Sequence, residues 1–392
     1  MTPLALSLSA DMLWPERTAF APRTDLQVTR LLGYTPYNID AVTTICLGMF
    51  GSRPTVRHIS GCTDEILDFL SFAGIDVGTE DRRIFRTGEE AAAIARALVD
   101  DGFRLIAPYP LPPSLYPAGA ELVPGPLFRR LSDKTRLGEI APASTIPARR
   151  IVPIEEVEDA SALPVYLKAA GDEPTGWGYA VRHCATPEAL RTEVAAFRSL
   201  GIERVIVEEA LPIEHCWCAN VAIGETVHWI GAALQTFARP GQQEGSLIDP
   251  AAPFPREGID LALQVAETAR VAGFRGVAAF DIGRSADGRL YLFDPNFRIN
   301  ASTHQILLHE AAERRSGLPA SRSFNHTTSL PCSEMLVRAK GPVEEGWLIP
   351  NRVIDEALLP AANGRSVISG FVMGRDRDDT SRRAAELTRL LS

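Results

Sequence analysis

No apolar run in this chain of 392 residues reaches the length of a membrane span. Leu4–Ala10 has the look of an export-signal core, but it lacks a basic leader and a convincing cleavage site, so a cytoplasmic protein with no membrane partner is expected. A basic surplus is missing too. The formal net charge of −9 argues against a nucleic-acid partner, because such binding needs a cationic footprint for phosphate. The six cysteines are scattered without zinc spacing. Cys216 and Cys218, on one face of an expected strand beside His215, read as buried thiols behaving as small hydrophobes. The seven histidines form no cluster, which removes support for a histidine-based nucleophilic triad. Internal repeats and low-complexity segments are absent. What remains is a globular composition with core enough for two or three domains.

The stretch from Gly276 to Arg298 carries the most chemistry. Two β-forming runs flank Asp287-Gly288, a dipeptide suited to a tight hairpin turn. Folding Val277–Gly283 back on Arg289–Asp294 brings Asp281 and Asp294 side by side, and Asn296 follows on the same side of an extended chain. Two carboxylates and an amide oxygen make a hard, all-oxygen site suited to Mg2+. Arg298 supplies a cation for an anion held there. The alternative at this point is a surface hairpin with solvated aspartates.

Upstream, Pro164–Lys168 reads as a short strand ending in a lysine. The glycine-rich loop Gly171–Gly178 follows, containing Gly176, Trp177 and Gly178, and Tyr179–His183 reads as a returning strand. A lysine facing bare backbone amides suits phosphate; an ordinary hairpin with a solvated lysine is the alternative. Thr186 and Pro187 read as the N-cap and first position of a helix running to Leu200. An apolar strand from Arg204 then runs into Glu208 and Glu209, with Leu211 and Glu214 just beyond.

Taken in order from Ser132 to His304, these residues resemble the ATP-grasp superfamily, the fold of D-alanine–D-alanine ligase, glutathione synthetase and many carboxylate–amine ligases. The resemblance implies an ATP site with Lys134 and Lys168 on the phosphates under the loop of Gly176, Trp177 and Gly178. It implies Glu208, Glu209 and Leu211 at the nucleoside hinge and Glu214 on the ribose. It also implies one or two Mg2+ ions, with Mn2+ as a substitute, on Asp281, Asp294 and Asn296. Arg298 and Lys168 would be the catalytic cations. The implied reaction joins a small-molecule carboxylate to an amine through an acyl phosphate, releasing ADP and phosphate. A kinase acting on a hydroxyl, or a nucleotide binder without turnover, stays open beside it.

Two positions depart from the family pattern. The last metal carboxylate is usually Glu and here is Asp294, and the arginine that D-alanine ligases carry two residues before the first metal carboxylate is here Ala279. The second departure speaks against a D-alanine substrate. The layout has a looser similarity to peptide ligases of natural-product pathways that build pheganomycin-like peptides.

The expected architecture is α/β, α+β within the grasp. It comprises an N-terminal α/β domain over 1–130, a lid over 131–205, a metal-binding lobe over 206–320 and a C-terminal extension over 321–392. Expected elements of the first domain are strands at Thr55–Ile59 and Arg104–Ala107 and helices at Thr63–Phe72 and Gly88–Asp101, with Leu111–Pro126 as the boundary. Gly48–Arg53 reads as a turn that either reaches the active site or serves as a plain loop. In the extension, Arg365–Met373 reads as a strand and Thr380–Leu391 as a helix, which would cap the active site or form a homodimer contact.

Overall fold

Short apolar strands alternating with capped helices build the first layer of the molecule. Strands β1 (Thr18–Phe20), β2 (Pro54–His58), β3 (Asp81–Phe85) and β4 (Arg104–Ile106) lie in the order β3-β2-β1-β4, every pairing parallel. Helices α1 (Asp64–Phe72) and α2 (Gly88–Asp100) begin at Thr63 and Thr87, whose hydroxyls accept from the N–H groups of Ile66 and Glu90. These caps satisfy donors that the first helical turn leaves open. The structure is a computed structural model that describes residues 3–24, 47–114, 116–157, 163–171, 180–359 and 365–392. Gly176, Trp177 and Gly178 of the expected phosphate loop, and Cys46, lie outside the described residues.

Two segments read as loops turn out to be packed. In the Gly48–Arg53 turn, Met49 and Phe50 are buried with Trp14 and Phe20, and Arg53 donates to the Trp14 carbonyl at 2.6 Å. Leu111–Pro126, expected as the domain boundary, packs on the N-terminal layer. Leu111 and Ala120 are buried with β1 and β4, and Glu121 pairs with Leu105.

Helix α3 (Gly125–Ser132) and the 3-10 turn Lys134–Glu139 follow. They bury Phe128, Leu131, Leu137 and Ile140 against Phe280, Ile282 and Leu292. By packing, the start of the segment 131–205 sits on the core beneath the β12–β13 hairpin. The small sheet begins after it, with β5 (Arg149–Pro153), β6 (Val165–Ala169), β7 (Val181–Cys184) and β8 (Arg204–Glu209) in the antiparallel order β5-β8-β6-β7. Helix α4 (Pro187–Ser199), capped by Thr186, lays Leu190, Val194 and Phe197 on it.

The large sheet, eight-stranded among the described residues, begins with β9 (Ile213–Ile223), β10 (Val227–Arg239) and β11 (Gln242–Ile248). After α5 (Arg256–Val271) come β12 (Gly276–Ser285) and β13 (Leu290–Asn296), and α6 (Thr303–Ser316) leads into β14 (Ala320–Thr328). Helix α7 (Cys332–Glu344), β15 (Leu348–Asp355), β16 (Ser366–Gly374) and α8 (Arg377–Leu390) complete the chain. Strand order is β13-β12-β9-β10-β11-β14-β16-β15. The C-terminal strands therefore continue this sheet at the edge opposite the β12–β13 hairpin. At about 4.8 Å per strand step they begin roughly 24 Å from β13 along the sheet. Met335, Leu336 and Phe371 bury Ile66, Phe69 and Leu70 of α1, which ties the chain's two ends together.

Candidate active site

The hairpin forms where the sequence places it. Gly288, at φ +85°, occupies the left-handed region that glycine enters without steric cost. Asp287 locks the turn by accepting from Ser285 Oγ and the Arg289 backbone, and these bonds pull its carboxyl down to about 2. Asp281 and Asp294 are direct cross-strand partners. The register then moves from Asp281↔Asp294 to Ile282↔Leu292, leaving Phe293 as a bulge residue. A bulge frees backbone groups from the ladder, and the Phe293 carbonyl accepts from Lys168 Nζ at 3.4 Å.

Both lysines converge here from different elements. Lys134 opens a 3-10 turn capped by Asp133, and its ammonium lies 2.9 Å from Asp294 Oδ1. Lys168 stands on β6, buried, with Nζ 2.5 Å from Glu208 Oε1 and 5.6 Å from the centre of the Phe293 ring. Arg149, the cross-strand partner of Glu208, approaches its other oxygen at 3.9 Å. Glu208 is 1% exposed and serves as the partner of Lys168, a role that follows from β6 and β8 being neighbours.

The other hinge residues stay at the edge of the site. Glu209 is exposed and Oε1 accepts from the Ala148 N–H at 2.8 Å. The Leu211 carbonyl accepts from the Ile213 N–H, and Glu214 is exposed near the start of β9. Pairing of Arg284 with His215 and of Ser285 with Ile213 leaves Glu214 as a bulge residue. It lies about 13 Å along the strand from Cys218, which pairs with Asp281.

Three polar contributors had no local sequence signal. Gln235 donates to Asp281 Oδ1 at 2.9 Å, but it arrives from β10, two strands away. Asn300 donates to Cys218 Sγ at 2.8 Å, and its own oxygen accepts from the backbone N–H groups of Ser302 and Thr303. Thr303 in turn donates to Asn220 Oδ1 at 2.7 Å. These bonds fix the segment after Asn296 across the sheet face that carries Asp281. Arg298 donates to Asn296 Oδ1 at 2.9 Å and sits 5.1 Å from the centre of the Tyr109 ring, which comes from the N-terminal layer.

Electrostatics mark Asp281 and Asp294 as a pair that suits a cation. Burial, and then the Asp294 charge, push the Asp281 carboxyl up to about 7, while the Gln235 hydrogen bond and Lys134 act the other way. Two crowded carboxylates with an amide oxygen beside them are a donor set that suits a hard divalent ion. Among the described residues no group of three or more His, Cys, Asp or Glu gathers, and beside this pair stands Asn296, whose Oδ1 accepts from Arg298. The thiols beside it are inert. Burial and then Asp281 raise Cys218 to about 12 and Cys216 well above its ordinary value.

Comparison with known proteins gives the arrangement its family. Residues 9–129 match the family described as the N-terminal domain of L-aspartate–L-methionine ligase, and residues 147–296 match the ATP-grasp domain of the same ligase. N5-carboxyaminoimidazole synthetase from Staphylococcus aureus, solved with ADP, aligns at 12% identity over 96% of this chain and 99% of its own, with a TM-score of 0.57. Biotin carboxylase from Campylobacter jejuni aligns at 13% over 94% and 89%, TM-score 0.55. An L-amino acid ligase from Bacillus licheniformis aligns at 13% over 94% and 96%, TM-score 0.51. At these identities the likeness is one of fold. The chain belongs to the ATP-grasp superfamily as an ATP-dependent ligase that forms a carbon–nitrogen bond between a carboxylate and an amine. Both matched segments are similar to one member, L-aspartate–L-methionine ligase. Among the described residues no helix is long and apolar enough to cross a membrane.

A buried histidine behind the site sets a pH limit on the fold. His304 is 1% exposed, and neither ring nitrogen has a hydrogen-bond partner among the described residues. Burial, with Arg57 acting the same way, pushes it from 6.5 down to about 4. The fold thus prefers the neutral ring. Its contribution is complete above pH 6.5 and is lost as pH falls toward 4. Between those values the wild type should lose about 3 kcal/mol more stability than His304→Leu, read from denaturant unfolding at each pH. Parallel curves for the two proteins would show that His304 titrates normally.

Proposed function

We propose that this enzyme uses ATP to activate the carboxylate of one amino acid as an acyl phosphate. It then joins that acyl group to the amino group of a second amino acid and releases ADP and phosphate. The observation that carries the reading is the convergence of Lys134, Lys168, Asp281, Asp294, Asn296 and Arg298 at the contact between the two sheets. The similarity of both matched segments to L-aspartate–L-methionine ligase supports one acidic and one apolar amino acid as the pair.

The residues divide the work by position. Lys134 and Lys168 would leave their carboxylate partners for the nucleotide phosphates, cancelling the repulsion between ATP and an incoming carboxylate. Asp281, Asp294 and Asn296 would hold one or two Mg2+ ions, which supply charge neutralisation at the terminal phosphates. Glu209 at the end of β8, Leu211 in the connection after it and Glu214 at the start of β9 would face the nucleoside, with Glu214 accepting from ribose hydroxyls. A carboxylate oxygen of the first amino acid attacks the terminal phosphorus and ADP leaves. The amine of the second then attacks the acyl carbon, loses a proton and expels phosphate. Arg298 is placed by Asn296 and Tyr109 to stabilise charge as the acyl phosphate forms.

The test is to supply ATP and Mg2+ with L-aspartate and L-methionine, singly and together, and to trap the activated acid with hydroxylamine. ADP release with the pair and a hydroxamate from one acid are expected; AMP release would overturn the reading. Arg298→Ala should slow hydroxamate formation by about 10²-fold, with the ATP KM little changed. An equal rate would remove Arg298 from that step.

A further inference from the structure

Asp281 is held by a neutral side chain from outside the hairpin. Gln235 reaches it from β10, across the intervening β9, and donates from Nε2 to Asp281 Oδ1 at 2.9 Å. It is 8% exposed, and the same nitrogen lies 3.4 Å from Gln243 Oε1 on β11. The N–H end of the amide, and not its oxygen, therefore faces the carboxylate. The Cys218 thiol, which pairs with Asp281 across the ladder, is a second and weaker donor, also without charge.

The two carboxylates of the pair are thus served differently. Asp294 Oδ1 lies 2.9 Å from the Lys134 ammonium, a positive charge. Asp281 Oδ1 takes its hydrogen bond from an amide, which carries none. A carboxylate has about four lone-pair sites, so one such bond leaves room for a metal. An ammonium at Asp281 as well would cancel the charge of the pair, and a divalent ion would have little left to attract it. An amide orients the carboxylate and leaves its charge intact. The brace has a force to oppose: as direct cross-strand partners the two aspartates repel, and that repulsion turns Asp281 away from Asp294 unless a bond holds it.

We propose that Gln235 is a positioning residue for the metal, a neutral donor that braces Asp281 so that both carboxylates and Asn296 converge on one ion. The proposal rests on the metal reading of this site and adds to it the residue that orients one of the ligands. Groups that hold a metal ligand from behind typically cost about 10–100-fold in metal affinity when they are removed.

Metal binding without turnover tests this. Mn2+ is titrated into wild type, Gln235→Met and Gln235→Lys, each with a non-hydrolysable ATP analogue, and free Mn2+ is read by electron paramagnetic resonance. Gln235→Met keeps the length of the side chain and removes the donor, and should weaken Mn2+ by about tenfold or more. Gln235→Lys restores a donor but brings a positive charge, and should weaken Mn2+ at least as much. In turnover, the Mg2+ concentration that gives half the maximal rate should rise in Gln235→Met by a similar factor, with kcat changing less. A fall in kcat with an unaltered Mg2+ requirement would make Gln235 a packing residue and overturn the proposal. So would wild-type Mn2+ affinity in a folded Gln235→Met. Wild-type affinity in Gln235→Lys would overturn the need for a neutral donor, and that variant decides the matter even if Gln235→Met fails to fold. If wild type retains no more Mn2+ than the analogue binds alone, the metal reading itself falls and the proposal with it. Mn2+ retained by wild type and held equally by the variants sinks the proposal only.

Discussion

Asp294→Asn is expected to lower turnover at saturating ATP and Mg2+ by about 10²-fold or more without unfolding the protein. Asp294 supplies half of the carboxylate charge at the hairpin and is the partner of Lys134 at 2.9 Å. An amide in its place keeps the shape but leaves a divalent ion with one protein carboxylate. Stability should change little, because losing the Lys134 partner is offset by relief of the repulsion that the Asp294 charge exerts on Asp281. Steady-state rates with a thermal melt of the same sample separate the two effects. Near-normal turnover would reduce Asp294 to a hairpin residue.

Lys168→Met should be costly in two distinguishable ways. It strands Glu208, 1% exposed, with only Arg149 at 3.9 Å for compensation. Breaking one side of a buried ion pair typically costs about 3–5 kcal/mol. It also removes a cation expected on the nucleotide phosphates, so affinity for ATP should fall. Adding Glu208→Gln to Lys168→Met should restore most of the stability, because the uncompensated charge is gone, and restore none of the ATP affinity. Denaturant unfolding and nucleotide titration on the single and double variants check both halves. ATP affinity recovering together with stability would make Lys168 purely structural.

The hairpin was legible because its signals are local. Asp287-Gly288 set the turn, and period-two alternation put Asp281 beside Asp294. Helix starts at Thr63, Thr87 and Thr186 were legible for the same reason. Residues that reach the site through non-neighbouring strands were not. Gln235 touches Asp281 only because β9 lies between β10 and β12. The pairing of Glu208 with Lys168 follows from β6 and β8 being neighbours, which no local pattern shows. The joining of the C-terminal strands to the large sheet was not legible, because it runs through the pairing of β14 with β11, far away in sequence. Tyr109 gave no hint of its place over Arg298, since a lone aromatic in a proline-rich stretch has no periodicity to read.

The most direct test follows an oxygen atom. The acid substrate is labelled with oxygen-18 in its carboxylate, and the enzyme is run to completion with ATP, Mg2+ and the amine. If the carboxylate attacks the terminal phosphorus and the amine later expels phosphate, each amide formed delivers one labelled oxygen to inorganic phosphate, with ADP as the nucleotide product. Unlabelled phosphate, or label recovered in AMP, would contradict the account.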